Sequence, residues 1–267
     1  MARTFVIDRK HFRPPSISLR FGHVWRRNFL VWRKLAIPSV IGNLADPLLF
    51  MLGLGYGLGA LMPAVNGIPY INFLAAGTIC YSTMNSASFE AMYSAFSRMH
   101  VQRTWEAILN APLTLDDVLI AEAVWAASKS FLSGMAILAV IGALGLSDSA
   151  LALWIIPLTV VIGLCFASLG LVMTALAPSY EFFMYYMTLV MTPMMLLSGA
   201  FFPRAQMPPL VQDISLFLPL THAVELARPL LAGRIPAASL THLLVLGVYA
   251  LAAFYVALIL TRRRLLK

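Results

Sequence analysis

An all-α, polytopic integral membrane protein is the fold class this sequence predicts, and three observations carry it. Of 267 residues, 60% are apolar and only 11% charged, against roughly 45–50% and about 25% in soluble domains. Six runs, 37–62, 70–96, 118–146, 151–177, 182–202 and 240–261, are long enough to cross a bilayer core, which takes about 20 helical residues. Those runs hold only four of the 30 Asp, Glu, Lys and Arg residues: Asp46, Glu90, Glu122 and Lys129. Charges are excluded from spans because the bilayer core solvates them poorly. Backbone amides in lipid must bond within their own segment, so the runs are helices.

The first run begins at residue 37 behind a basic stretch and has no small-residue cleavage pattern, which predicts an uncleaved anchor. Nine Lys and Arg precede it (Arg3, Arg9, Lys10, Arg13, Arg20, Arg26, Arg27, Arg33, Lys34). Arg98 and Arg103 follow the second run, and Arg262, Arg263, Arg264 and Lys267 follow the sixth. Only Arg204, Arg228 and Arg234 fall on the other side. Fifteen basic residues against three predict that both termini are cytoplasmic. The net charge of +8 is then a topology signal facing membrane lipids, and no nucleic-acid partner is expected.

Residues 1–36 form a cytoplasmic N-terminal region. Within it, 18–35 reads as an amphipathic helix: Phe21, Val24, Trp25, Phe29, Trp32 and Leu35 share one half of a helical wheel, and Arg20, Arg26, Arg27, Arg33 and Lys34 the other. This is the pattern of an interfacial helix anchored by Trp25, Arg26, Arg27 and Trp32. Docking on a soluble partner fits the same pattern. The membrane domain is 37–262, and 263–267 is a short tail.

Within the runs, Cys80 and Cys165 lack metal or redox spacing and read as packing residues. Gly53, Gly55, Gly57 and Gly59 give Gly-xxx-Gly pairs suited to close helix packing. Asp46-Pro47 reads as a break in the first helix. A snorkelling Lys129 reaches Glu90 on the neighbouring span; a static pair and a proton relay both fit. The pair predicts that Lys129→Ala impairs assembly or export and that Glu90→Gln with Lys129→Met restores it.

No GxxxxGK[ST], HExxH or GxSxG motif occurs, and the histidines are scattered. Asp116-Asp117 reads as a helix N-terminus, with Thr114 placed as its cap. Neither a nucleotide site, a metal site nor a catalytic residue is expected. The loop 97–117 contains a short helix from Arg103 to Asn110, stopped by Pro112; a surface for a partner to press on and a plain connector both fit. Outside, 203–239 is long and apolar for a loop. Leu210–Leu218 and Leu220–Leu231, split by Pro219, read as half-inserted helices.

Leu197-Ser198-Gly199-Ala200-Phe201-Phe202-Pro203, Met207-Pro208 and Pro219-Leu220-Thr221-His222 through Arg228 resemble the signature of type-2 ABC exporter permeases, which export glycans, lipid-linked sugars and drugs. Arg103-Thr104-Trp105-Glu106 to Leu109 and Ala111-Pro112-Leu113 look like that family's coupling-helix region. The stretch Ala167 to Tyr180, with Phe89-Glu90, Trp125 to Lys129 and the Arg262-Arg-Arg-Leu-Leu ending, is similar to the nodulation (NodJ-type) permeases that export lipo-chitooligosaccharides.

This resemblance implies a permease of the bacterial inner membrane. Two copies would pair with two cytoplasmic ABC ATPase subunits, which hold the ATP and Mg²⁺ and push on the coupling helix. It implies a lipid-tailed oligosaccharide as cargo, along a path where Tyr81, Ser86, Glu90, Lys129, Tyr185 and Tyr186 are the polar and aromatic candidates. An O-antigen-like glycan or a drug are alternative cargoes. A proton-coupled carrier, working without an ATPase, and a membrane-embedded transferase are the alternative classes.

Overall fold

The computed structural model describes residues 12–61, 64–65, 67–147 and 149–266. Arg3, Arg9, Lys10 and Lys267 of the basic count, His11, and Met62 at the end of the first predicted span lie outside them. In chain order the helices are α1 (Phe21–Arg33), α2 (Ala36–Gly57), α3 (Tyr70–Phe89), α4 (Thr104–Leu109), α5 (Leu115–Ala143), α6 (Ile155–Leu176), α7 (Glu181–Tyr186), α8 (Thr192–Leu197), α9 (Pro209–Ser215), α10 (Pro219–Leu231) and α11 (Ser239–Leu265). One short antiparallel hairpin, β1 (Ala64–Val65) and β2 (Ile68–Pro69), joins α2 to α3.

Among the described residues four helical segments meet the length and hydropathy needed to cross a membrane: 36–60, 115–143, 150–176 and 239–265. α9 and α10 make a fifth if the pair, bent by 89°, is counted as one. Two predicted spans are helical without meeting that measure. α3 carries several hydroxyl side chains, and 181–197 is short and changes pitch at a π turn, Met187–Met191. The end of α3 also differs from the predicted 96. Helical structure runs on through two π turns, Glu90–Ser94 and Ser97–Val101.

α6 is the centre of the bundle and packs on α11, α5 and α3. Of its most apolar stretch 61% is buried within the chain, against 11% for α2. Small residues let segments of the bundle approach closely. A Cβ on Gly170 would stand 2.8 Å from the Ala91 methyl, and one on Gly77 would run into the Ala200 carbonyl. The expected close packing through the Gly53–Gly59 series is not realised within the chain. Only Gly55 meets a neighbour, Ile71, while Gly53, Gly57 and Gly59 face open space. Nor does Asp46-Pro47 break α2, which continues through Pro47. A membrane helix tolerates a proline where neighbouring helices, hydroxyl side chains, water or a local change of pitch re-satisfy the freed backbone carbonyl. Cys80 and Cys165 are buried free thiols.

α5 starts where its sequence says it should. Thr114 Oγ1 accepts from the Asp117 N–H at 3.2 Å, and Asp117 Oδ2 accepts from the Thr114 N–H at 2.9 Å, a reciprocal capping box. Its first turn is also where the two ends of the described chain meet. Arg262 of α11 donates to Asp116 at 2.6 and 3.1 Å, and Ser16 donates to Asp116 from backbone and side chain at 2.8 and 2.9 Å. α1, α4, the end of α3, the start of α5 and the end of α11 therefore gather at one basic end of the bundle.

Candidate coupling and transport site

At that end a network of buried charge joins four elements. Arg98, in the second π turn after α3, reaches both Glu122 oxygens on α5, Nε lying 2.9 Å from Oε1, and donates to Glu90 Oε1 at 3.0 Å. Glu90 also accepts from Trp125 Nε1 at 2.8 Å, Ser94 Oγ at 2.9 Å and Lys129 Nζ at 2.8 Å. Trp105 of α4 donates its indole N–H to Glu122 Oε1 at 3.1 Å. Glu90 and Glu122 are 4% and 1% exposed, so these bonds replace water that neither carboxylate can reach. The first π turn helps aim Arg98 at Glu90, since it adds a residue to its turn and rotates the helix beyond it; such turns recur at functional sites.

The predicted coupling helix forms as α4, one residue shorter at each end than expected. Arg103 stands outside it in a left-handed conformation (φ 51°) that turns the chain sharply. Trp105 is buried while Arg103, Glu106, Ala107, Asn110 and Pro112 are exposed, with Thr104 and Leu109 between. One α4 side chain is thus anchored in the charge network and its opposite face is free.

α1 docks its aromatic face on the bundle. Trp25, Phe29 and Trp32 present edges to Trp125 at centroid distances of 6.3, 6.5 and 5.9 Å, and Trp25 Nε1 donates to Ser128 Oγ at 3.1 Å. Part of the face expected to enter the membrane interface is therefore spent on α5, where edge-to-face aromatic pairs contribute about 0.5–1.5 kcal/mol each beyond the area they bury. Arg26 is exposed and Arg27 half-buried. Burial, and secondly the nearby Arg98, lower the Arg27 pKa, with Glu122 acting the other way.

The remaining candidates separate. Tyr81 packs its ring edge on Phe201 at 5.8 Å. Ser86 and Tyr186 are buried, the Ser86 hydroxyl without a partner, and Tyr185 is exposed. The signature residues lie at the opposite end from α4. Gly199 takes φ 80°, which a residue without Cβ adopts freely, and its carbonyl accepts from Arg228 of α10 at 2.6 Å. The Arg228 guanidinium lies 3.8 Å from the Phe73 ring centroid, and Tyr70 Oη donates to the Phe201 carbonyl at 3.0 Å. Phe202 is exposed and Pro203 buried beside this turn. Following Pro219, which starts α10, His222 holds the bend before it: Nε2 is 2.8 Å from the Leu216 carbonyl, and Nδ1 is 2.8 Å from Nδ1 of His242. The first contact needs a proton on Nε2, so in the neutral pair His242 is the donor between the rings. Histidines that look scattered in sequence thus meet in space. Among the described residues no group of three or more His, Cys, Asp or Glu is placed to hold a metal ion.

Sequence reasoning placed Glu90 beside Lys129 but missed Arg98 as the hub, counting it only toward topology, and missed Trp105 and Trp125 as donors. It read Asp116 only as a helix N-terminus and did not connect it with Arg262. The available signal was chemical: two carboxylates and a lysine inside apolar runs require partners, and Arg98 is the nearest unassigned cation.

A mainly helical chain with membrane-length helices, a partly exposed short helix anchored to a buried charge network and a clamped turn before a bent helix pair has the architecture of a transport permease. The chain belongs to the ABC-2 type transporter family, whose sequence model matches residues 20–231. It is a multi-pass protein of the bacterial inner membrane. It is 47% identical over 253 residues to nodulation protein J of Rhizobium leguminosarum biovar viciae, covering 95% of this chain and 98% of that protein. It is 48% identical over 253 residues to nodulation protein J of Bradyrhizobium diazoefficiens, covering 95% and 97%. Nodulation protein J of Azorhizobium caulinodans is 33% identical over 202 residues, covering 76% and 80%.

Proposed function

We propose that the chain is the membrane-spanning subunit of an ATP-driven exporter that moves a lipid-modified oligosaccharide, of lipo-chitooligosaccharide type, outward across the inner membrane. In this reading residues 37–262 cross the membrane six times with both termini cytoplasmic, and two copies work with two ATPase subunits that carry the ATP and Mg²⁺. The observation that carries it is the bond from Trp105 to Glu122. A push on the exposed face of α4 is delivered through that bond to α5, through Arg98 to the end of α3, and through Trp125 to α1. The likeness to nodulation proteins over nearly the whole chain supports the cargo.

The test is transport of an acylated chitin oligosaccharide into inside-out vesicles holding the chain and its ATPase. ATP-dependent uptake that disappears with a hydrolysis-dead ATPase is the expected result. Uptake that persists with the dead ATPase and follows a proton gradient would overturn the mechanism. ATP-dependent uptake of an unacylated glycan or a drug in preference would overturn the cargo.

A further inference from the structure

Between α1, the end of α3 and α5 lies a cavity of about 400 Å³, within the range of small-ligand sites, about 300–1,000 Å³. Its wall includes Arg27, Asn28, Trp32, Glu90, Arg98 and Lys129. The only carboxylate in that wall is already spent: Glu90 Oε1 takes Arg98 and Trp125, and Oε2 takes Ser94 and Lys129. The donors are not. Arg27 has a single partner, Asn28 Oδ1 at 3.0 Å, and among the described residues no carboxylate forms an ion pair with it. Lys129 uses one of its three N–H groups. Asn28 is 3% exposed and among the described residues its Nδ2 has no acceptor, an unfavourable state for a buried donor.

A surplus of buried and half-buried donors beside a saturated carboxylate calls for a ligand with several acceptor oxygens and negative charge. The surroundings say where it comes from. Arg27 and Val31 also line a shallow groove with Arg26 and Lys34; Leu30 and Val31 on α1 are 40% and 56% exposed, and Leu35, between α1 and α2, is 65% exposed. A basic groove edged with apolar side chains on a helix of this kind suits a lipid phosphate with its tails alongside. We infer that this cavity binds the phosphate headgroup of an anionic membrane phospholipid, with Arg27 as the principal contact and Asn28 and Lys129 as further donors. A headgroup seated there would bridge α1 to α3 and α5, and so would stiffen the junction at which the charge network ends.

The test is native mass spectrometry of the full-length chain, purified in detergent and titrated with phosphatidylglycerol, phosphatidylcholine or inorganic phosphate. The expected result is retention of phosphatidylglycerol in preference to phosphatidylcholine. Loss of a hydrogen bond to a charged group should make R27Q and N28L each weaken phosphatidylglycerol binding by about tenfold. R33A, which removes an exposed charge from the same helix outside the cavity, should leave it unchanged. An unchanged R27Q, an equal loss in R33A or no preference over phosphatidylcholine would overturn the site. Displacement of the lipid by equimolar inorganic phosphate would make it a free-anion site and overturn the lipid assignment. R27Q keeps the test open if N28L fails to fold, since Arg27 is half-buried and packs no core.

Discussion

Trp105 of α4 gives its indole N–H to Glu122 of α5 across 3.1 Å, and each side chain is 1% exposed. A six-residue helix has little hold of its own, because nucleating a helix costs more than one turn returns. Buried indole area and this bond to a carboxylate attach α4 to α5.

Trp105→Phe keeps one aromatic ring while deleting the donor with the pyrrole half of the indole. A hydrogen bond to a charged group is worth about 1.5–3 kcal/mol, so the variant should assemble with a lowered detergent melting temperature. Uptake in the vesicle assay should fall by about tenfold while ATP hydrolysis continues. Full uptake by W105F would remove α4 from the coupling route.

Arg98 serves two buried carboxylates at once, and no other cation among the described residues pairs with Glu122. Arg98→Ala leaves Glu122 without its counter-charge, a loss of about 3–5 kcal/mol when one partner of a buried pair is removed. The expected readout is a sharp drop in folded protein by fluorescence-detected size exclusion. Arg98→Lys should fall between, because a lysine cannot make the two-pronged contact. Wild-type amounts of R98A would show that the network does not stabilise the fold.

Lys129→Ala is expected to be milder, since Glu90 keeps Arg98, Trp125 and Ser94. Reduced assembly or export by K129A, recovered when Glu90→Gln is combined with Lys129→Met, is the expected pattern. The recovery should be partial, because Trp125 then donates to a neutral amide. Normal export by K129A alone would sink a functional role for the pair.

Asp116 and Arg262 are 146 positions apart and tie the end of α11 to the start of α5. In a double-mutant cycle of D116A and R262A, the two losses should be strongly non-additive, with a coupling of about 0.5–3 kcal/mol read from melting temperatures. Additive losses would mean that Ser16 and the chain near Arg13, not the ion pair, hold this junction.

Gly77 faces the backbone of the Gly199–Phe201 turn, where an added methyl meets the Ala200 carbonyl. Gly77→Ala should therefore destabilise the protein by about 1–3 kcal/mol or more, seen as reduced membrane levels. Gly53→Ala, facing open space, should not. Equal behaviour of the two would contradict the packing of α3 on this turn.

Much of the architecture was legible along the chain, because hydropathy, caps and breakers act over a few residues. The apolar runs, the Thr114–Asp117 cap, the short helix before Pro112 and the bend at Pro219 all arise from such local rules. The gathering of basic residues and chain ends at one end of the bundle comes from counting. What only the tertiary structure decided is which groups face one another. Arg98 reaches Glu90 and Glu122 because the first π turn re-aims the end of α3, and no local preference announces a π turn. His222 meets His242, and α1 turns its tryptophans to Trp125, because the rotation of each helix is set by packing against the others. Sequence alone established that Glu90, Glu122 and Lys129 needed partners, since a charge inside a span is poorly solvated by lipid; the identity of those partners is a property of the packed bundle.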